Sequence, residues 1–276
     1  MSEMNRAPIF DSHVHSDNSP DGNHSITYLG IAAQEMDLFG LCVTDHCEAQ
    51  AYREERYDKS IFQSVFECRK ACRVFGESLK ICVGIELGQP LQGIEAAKAV
   101  LESQSFDFVL CSVHNLPGKK DFYYLNYAAM TDGDIHDLMT AYFKEVLQSA
   151  KQADFDSLAH LTYPLRYLVG EQGRAVDLER YAPAIDEILR VLAGRGKALE
   201  LNTSGLRQPY GVTLPQGAVL TRFRELGGQY ITIGSDAHYN QDLAAGFAQG
   251  FALAKAAGFE SYAYFEGREP KTLSIV

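Results

Sequence analysis

Short apolar runs alternate with amphipathic stretches along the chain. Several runs are almost continuously hydrophobic, as at residues 81–85, which is typical of parallel strands buried on both faces. Strands are predicted at residues 9–15, 41–46, 80–88, 106–114, 157–161, 197–203 and 230–236. Helices are predicted near residues 26–38, 60–76, 93–103, 133–152, 178–194, 216–227 and 242–257.

Seven strand–helix units without a Pro/Ser-rich linker predict one α/β domain over residues 1–276, built as a closed parallel barrel. A last extended stretch at residues 260–276 is predicted to cover the barrel. In such barrels the chemistry lies at the C-terminal ends of the strands.

Histidines and carboxylates lie at that end of the predicted strands. Six of the eight histidines stand at or just after a strand end, namely His13, His15, His46, His114, His160 and His238. Glu86 and Asp236 occupy two further positions of the same kind. Histidine and carboxylate are the ligands that zinc, manganese and iron accept. Their recurrence predicts a polynuclear metal centre.

The spacing assigns roles to five of these residues. His13 and His15 are two apart on a strand, so both side chains face the same side and are expected to hold one cation. An isolated pair of this kind would more often be two core histidines. Asp236 and His238 repeat the spacing and are expected to serve neighbouring ions. A buried carboxylate is costly unless it is paired or bound to metal, so Glu86 is expected to bridge two ions.

Four other acidic residues leave alternatives open. Either Asp45 or His46 is expected to be a ligand, with the other as its support. The first loop offers Asp17 and Asp21, although aspartates also form turns and helix caps. Asp11 has the parity of the first histidine pair and is expected to orient a ligating imidazole.

Two arginines, Arg166 and Arg207, follow strand ends. A guanidinium binds phosphate through two N–H groups, so both are candidate phosphate ligands, although most arginines outside such a setting are surface residues. The Tyr-rich segment 115–131 is predicted to shape the mouth of the site. His24 and His136 have no partner motif and are expected at the surface.

The overall charge limits the classes of binding partner that are expected. A net charge of −11 argues against a general affinity for nucleic acid or anionic membranes, while bound cations would still admit an anionic substrate. There is no apolar run of membrane-spanning length, and residues 1–6 lack the pattern of a signal peptide, so a soluble cytoplasmic protein is expected. The six cysteines are expected to be free thiols, mostly in the core, with Cys47 a minor candidate ligand beside His46.

In this order the motifs resemble those of the polymerase-and-histidinol-phosphatase (PHP) superfamily. They read D-x-H-x-H-S…S-x-D-G at 11–22, T-D-H at 44–46, G-I-E at 84–86, S-V-H at 112–114, A-H at 159–160 and G-S-D-A-H at 234–238. The stretch 199–207 and the C-terminal segment 262–270 resemble the monofunctional histidinol-phosphatase branch.

The resemblance implies a distorted (β/α)7 TIM-like barrel with three divalent ions, Zn, Mn or Fe. The implied ligand groups are His13, His15, Glu86 and Asp236; Glu86, His114 and His160; and Asp21, His46 and His238. Asp21 stands where some members of the superfamily carry histidine or glutamate. Arg166 and Arg207 fall where the phosphate-binding arginines of the family are expected.

The implied reaction is metal-dependent hydrolysis of a small phosphomonoester, with L-histidinol phosphate, an intermediate of histidine biosynthesis, as the preferred substrate. Either Asp236 or His238 is expected to protonate the leaving alkoxide. Within the superfamily the alternatives are another phosphomonoester, a phosphodiester or a phosphotyrosine. A metal-binding regulatory module without catalysis is an alternative from another class, and the complete ligand set argues against it.

Overall fold

The computed structural model of the protein describes residues 8–275. Its first eight strands are β1 Phe10–Val14, β2 Gly40–Val43, β3 His46–Glu48, β4 Lys80–Gly88, β5 Phe108–Ser112, β6 Ser157–Leu158, β7 Ala198–Asn202 and β8 Ile231–Gly234. Seven of them follow the order β1-β2-β4-β5-β6-β7-β8, and each neighbouring pair is parallel. The remaining strand, β3, continues the line of β2 along β4.

The ring closes between its first and last strands. Val14 and Ala237 form a parallel bridge, and the backbone N–H of His15 donates to the carbonyl of Ala237 at 2.9 Å. The predicted (β/α)7 barrel is therefore confirmed. The sequence could support this fold because nearly all strand residues are buried, as parallel strands between a filled interior and outer helices require.

The outer layer consists of seven helices. They are α1 Ile26–Glu35, α2 Tyr57–Phe75, α3 Ile94–Ser103, α4 Asp132–Gln152, α5 Ala182–Gly194, α6 Gly217–Glu225 and α7 Phe247–Ala256. Thr131 caps α4 in a reciprocal capping box with Asp134. Helices α5 and α7 begin later than predicted. A 3-10 turn occupies Leu178–Tyr181 before α5, and before α7 a turn continues to Gly246, whose φ of 81° is not helical.

Two predicted strands are interrupted near the site. The run 41–46 divides into β2 and β3, which pair with β4 in the same register and are separated by Thr44 and Asp45; the Asp45 carboxylate accepts hydrogen bonds from the first loop. Strand β6 has only two residues, since His160 adopts φ 23°, which a strand residue cannot adopt. His160 thus lies outside regular strand geometry, whereas His46 begins β3.

The C-terminal segment is a hairpin of β9 Ser261–Glu266 and β10 Glu269–Ser274. The Tyr262 hydroxyl lies 2.9 Å from the backbone nitrogen of Phe10, and the backbone N–H of Arg268 donates to the Asp107 carbonyl at 2.9 Å. Both partners precede or begin barrel strands, so the hairpin covers the N-terminal end of the barrel. The predicted cover is confirmed, with two strands instead of one. The prediction on residues 1–6 lies outside the described residues.

Candidate metal centre

The structure brings all nine predicted ligands together at the C-terminal end of the barrel. Glu86 lies at their centre and is 1% exposed, so its surroundings determine what the cluster can do. The Oε1 atom of Glu86 lies 3.1 Å from Nε2 of His114 and 2.9 Å from Nε2 of His160. The two imidazole nitrogens are themselves 3.4 Å apart. One carboxylate oxygen is thus presented to one pair of histidines.

The other oxygen of Glu86 faces a second pair. Its Oε2 atom lies 3.4 Å from Nε2 of His13 and 3.5 Å from Nε2 of His15. Asp236 approaches the same pair from the loop after β8, the strand beside β1, with Oδ1 at 3.8 Å and 3.5 Å from the two nitrogens. Because the two oxygens of Glu86 serve different histidine pairs, its geometry suits a carboxylate that bridges two cations.

A third group lies nearer the solvent. Asp21 Oδ2 is 3.0 Å from Nε2 of His238, and Asp21 Oδ1 is 3.6 Å from Nε2 of His46. His46 also turns its Nδ1 towards Glu86 Oε2 at 2.9 Å. Both aspartates in the first loop are exposed, and Asp21 is the one that contacts His46 and His238.

The donor set fits divalent metal ions. The Nε2 atoms of His13 and His15 are only 3.0 Å apart, an arrangement that two imidazoles favour when both direct lone pairs at one cation. Glu86 Oε2 and His46 Nδ1 are buried and lie 2.9 Å apart, but neither makes a well-aligned hydrogen bond within residues 8–275. Such unpaired groups are costly unless a ligand satisfies them.

Three combinations of these side chains can each surround one ion. They are His15, His46 and His238; His13, His15 and Glu86; and His46, Glu86 and His114. His15 and His46 each belong to two combinations. The assignment of each residue to a particular ion therefore remains a prediction.

The electrostatic environment keeps the carboxylates charged. Burial would raise the pKa of Glu86, but His114, His46 and His13 outweigh that effect and hold the pKa well below its usual range. Asp236 behaves in the same way beside His13 and Arg166. Charged carboxylates are the form that binds metal.

One imidazole is held in its neutral form. Burial and the neighbouring rings of His46 and His238 lower the pKa of His15 to about 3. A neutral ring keeps one nitrogen lone pair for coordination, which is what a ligand histidine requires.

Two glutamates support the histidines from behind, and sequence reasoning missed both. Glu200 Oε1 lies 2.6 Å from Nδ1 of His13, and Glu48 Oε1 lies 3.0 Å from Nδ1 of His114. Each leaves the Nε2 atom of its histidine directed at the cluster, the arrangement that orients metal-binding imidazoles. Glu200 lies in an otherwise apolar strand, and the cost of a buried carboxylate that drew attention to Glu86 applies to it equally.

The expected role of Asp11 is wrong. Its carboxylate accepts hydrogen bonds from the backbone N–H groups of Ser235 at 2.9 Å and Ala244 at 2.8 Å, and from the Ser235 hydroxyl. Asp11 therefore ties β1 to the loop after β8 instead of orienting an imidazole ring. The groups that donate to Asp11 belong to Ser235 and Ala244, which lie more than 200 positions away in the chain. The position of Asp11 in its strand could therefore not predict these contacts.

The contacts of Asp45 and His46 favour His46 as the predicted ligand. His46 faces the cluster, while Asp45 accepts from the backbone N–H of Ser16 at 2.7 Å and from the hydroxyls of Ser19 and Ser64 at 2.9 and 2.5 Å. Asp45 thus holds in place the first loop, which carries Asp21.

The backbone at two cluster residues is strained. His160 has φ 23° and Asp236 has φ 55°, values in the left-handed region that non-glycine residues seldom adopt. The neighbouring Gly234 has no Cβ, and a Cβ there would overlap His13 and Glu200. Glycine at this position is what permits the close contact between the histidine and its supporting glutamate.

The two predicted arginines lie beside Asp236. One Nη of Arg166 donates to Asp236 Oδ2 at 3.0 Å and to the Ser204 hydroxyl at 2.6 Å. Its Nε is buried and has no acceptor in the described part of the chain. The Nη atoms of Arg207 donate to the backbone carbonyls of Ser235 at 2.6 Å and Asp236 at 2.7 Å. Arg166 keeps its Nε and its other Nη for a ligand, and each Nη of Arg207 carries a second N–H, so a phosphate-binding role stays a prediction for both residues.

The other candidates lie apart from the cluster. His24 packs against Tyr28, and His136 Nδ1 is 2.9 Å from the Tyr181 hydroxyl; both histidines are half-buried instead of fully exposed. All six cysteines are free, and none belongs to the three metal-binding combinations of the described residues. Burial raises the pKa of the Cys47 thiol, which disfavours the thiolate that a metal would need.

Comparisons with known proteins agree with this geometry. The model of the PHP domain family matches residues 11–204, which is more than half of the chain. A Clostridium acetobutylicum protein named "Probable histidinol-phosphatase" is 28% identical over 263 residues, covering 94% of this chain and 98% of that protein. The histidinol-phosphatase of Lactococcus lactis subsp. lactis is 25% identical over 270 residues, covering 93% and 94%.

Solved structures share the barrel. A histidinol phosphate phosphatase from Lactococcus lactis subsp. lactis, crystallised with zinc, L-histidinol and phosphate, superposes with a TM-score of 0.77 at 25% identity, over 95% of this chain and 98% of that chain. A structure from Listeria monocytogenes has a TM-score of 0.76 at 19% identity, over 87% and 99%, and shows the same fold. Among residues 8–275, none of the helices combines the length and apolar character needed to cross a bilayer.

Proposed function

The chain belongs to the PHP domain family, and from that premise we propose that it is a metal-dependent phosphomonoesterase that hydrolyses L-histidinol phosphate to L-histidinol and phosphate. The observation that carries the proposal is the convergence of five histidines on the two oxygens of one buried carboxylate, Glu86. Relatives that span nearly the whole chain are named histidinol-phosphatases, which supports this substrate over others.

The proposal includes three divalent ions, Zn, Mn or Fe, held by nine side chains. These are His13, His15, Asp21, His46, Glu86, His114, His160, Asp236 and His238. When bound, such ions supply an activated water as nucleophile and neutralise the charge that develops on the phosphate. Zinc is present in the Lactococcus lactis structure, and oxygen and nitrogen donors of this kind accept manganese and iron as well.

The protein's own groups complete the reaction. The unpaired N–H of Arg166 and the remaining N–H groups of Arg207 are available to bind phosphate oxygens, and both arginines lie within hydrogen-bond distance of residue 236. The proton for the leaving alkoxide comes from His238, whose pKa Asp21 and Asp236 raise against the effect of burial, or from a water held by Asp236, whose own carboxylate stays charged; the two side chains lie 3.6 Å apart. Positioning and charge stabilisation supply most of the catalysis in phosphoryl transfer.

The proposed setting is histidine biosynthesis in the cytoplasm. Six free thiols, five of them buried, are consistent with a reducing compartment. The net charge of −11 argues against nucleic acid and anionic membranes as partners. The proposed partner is a small phosphate ester, as substrate.

Phosphate release from a panel of monoesters and diesters, with manganese or zinc added, tests the function. L-histidinol phosphate is expected to give the highest kcat/KM, with little hydrolysis of diesters or phosphotyrosine. The Glu86→Ala variant, purified in parallel, controls for contaminating phosphatases. Faster hydrolysis of a diester than of any monoester would contradict the proposal, and absence of turnover on every ester would favour a regulatory module.

A further inference from the structure

The segment 115–131 carries a carboxylate that the proposed reaction does not use. Asp121 is half-buried and lies beside the ligand His114, because the backbone N–H of the next residue, Phe122, donates to the His114 carbonyl at 2.9 Å. Its Oδ1 accepts the backbone N–H of Tyr123 at 2.7 Å and the Tyr163 hydroxyl at 3.4 Å. No hydrogen bond to its Oδ2 occurs within residues 8–275.

Three tyrosines connect this carboxylate to the metal cluster, and we call them the aromatic wall. The Tyr163 ring lies 4.9 Å from the rings of both His114 and His160, and its hydroxyl is 2.8 Å from that of Tyr167. Tyr123, whose side chain is largely exposed, packs edge-on against Tyr167 at 5.8 Å. The aromatic wall therefore runs from the cluster to the rim of the site and ends at Asp121.

Within residues 8–275, the hydrogen bonds to the Asp121 carboxylate come from Tyr123 and Tyr163 and from no lysine or arginine. A carboxylate without a cationic partner gains from a cation that arrives with a ligand. Of the aromatic wall, Tyr163 already has the guanidinium of Arg166 over its ring at 5.1 Å.

The substrate of the proposed reaction carries a cation at the required end. In L-histidinol phosphate, the ammonium group is attached to the carbon next to the one that bears the phosphate ester. A substrate that places its phosphate at the metal cluster and its ammonium along the aromatic wall brings opposite charges together at Asp121. We infer that Asp121 is a specificity-determining residue that binds the ammonium of phosphorylated 2-amino alcohols, an inference that rests on the proposed function.

The Asp121→Asn variant separates charge from structure. The amide oxygen of asparagine still accepts the Tyr123 N–H, so the turn is retained while the negative charge is lost. For L-histidinol phosphate, KM is expected to rise roughly tenfold to a hundredfold with kcat little changed, as for loss of a hydrogen bond to a charged group. For the analogue that lacks the amine, 3-(imidazol-4-yl)propyl phosphate, kcat/KM is expected to be the same in variant and wild type. Metal content is expected to be unchanged.

Two further proteins make the comparison sharp. Asp132→Asn removes the same charge from an exposed aspartate paired with Arg174, and is expected to leave both substrates unaffected. Asp121→Glu keeps the charge and is expected to retain part of the preference for the amine. It also provides a test if the asparagine variant proves unstable.

The outcomes distinguish this inference from the proposed function. If the wild type hydrolyses L-histidinol phosphate no better than the analogue without the amine, the inference is wrong even if both esters are good substrates. The inference is also wrong, and the function stands, if the wild type prefers the ester with the amine and Asp121→Asn keeps that preference. The same holds if Asp121→Asn lowers kcat/KM equally for both esters. If the wild type releases phosphate from neither, the proposed function fails.

Discussion

The Nδ1 atom of His13 lies 2.6 Å from Oε1 of Glu200, and both side chains are completely buried. A carboxylate can only accept, so the shared proton is carried by Nδ1 and the Nε2 lone pair points at the cluster. The same glutamate accepts the backbone N–H of His160 at 2.8 Å through Oε2. Glu200 therefore fixes two of the six clustered histidines at once.

The first prediction concerns this support. Glu200→Gln keeps the shape but removes the charge that favours the Nδ1 proton, so we expect metal affinity or activity to fall about tenfold to a hundredfold. Metal titration followed by phosphatase assay measures both. Glu225→Gln, at an exposed residue paired with Arg222, is the matched control. Unchanged metal affinity in Glu200→Gln would show that the contact with His13 contributes little.

The sequence predicted the barrel and the clustered residues because those features are local. His13 and Glu86 were recognisable from strand parity and from a charged residue in an apolar run. The partner of Glu200 is 187 positions away, so no motif contains both residues. The backbone carbonyls that accept from Arg207 could not be predicted from the sequence, because every residue carries a carbonyl.

A second prediction is the number of ions. The contacts of Glu86 and Asp21 place donors around three positions, so metal analysis of purified protein supplied with zinc or manganese is expected to approach three ions per chain. Anomalous scattering from crystals would locate them. A cluster that binds a single ion at saturating metal would contradict the prediction.

The two carboxylates of that arrangement differ in importance. Glu86 is buried and contacts both histidine pairs, whereas the Asp21 side chain is 57% exposed and contacts only His46 and His238. Glu86→Ala is expected to lose metal and nearly all turnover, and Asp21→Ala to weaken chiefly the outer ion. Metal content and kcat of the two variants decide the matter. Equal, small effects would refute a bridging role for Glu86.

Chelation provides a test of stability. A ligand at a thousand times its Kd stabilises the folded state by about 4 kcal/mol, so the chelated protein is expected to unfold several degrees lower than the metal-loaded protein. Thermal unfolding monitored by circular dichroism measures the difference. Glu86→Ala is expected to show little further change on chelation. If wild type unfolds at the same temperature with and without chelator, the cluster is not a metal centre.

The last prediction separates phosphate binding from backbone support at the arginines. Lysine keeps the charge but lacks the fork, so Arg166→Lys and Arg207→Lys are each expected to lower kcat/KM for L-histidinol phosphate about tenfold to a hundredfold. Metal content is expected to stay unchanged because a guanidinium is no ligand, and the double variant should be worse than either.

The contacts of Arg207 indicate whether its replacement changes KM or kcat. If Arg207 acts on phosphate, its replacement raises KM. If it acts only through the carbonyls of Ser235 and Asp236, Arg207→Lys disturbs Asp236 and lowers kcat together with metal content. Arg222→Lys, at a surface ion pair with Asp186, is the control for a loss of fork geometry elsewhere. If both site variants keep their kcat/KM while a diester is cleaved faster than the monoester, the monoesterase assignment is wrong and a phosphodiesterase takes its place.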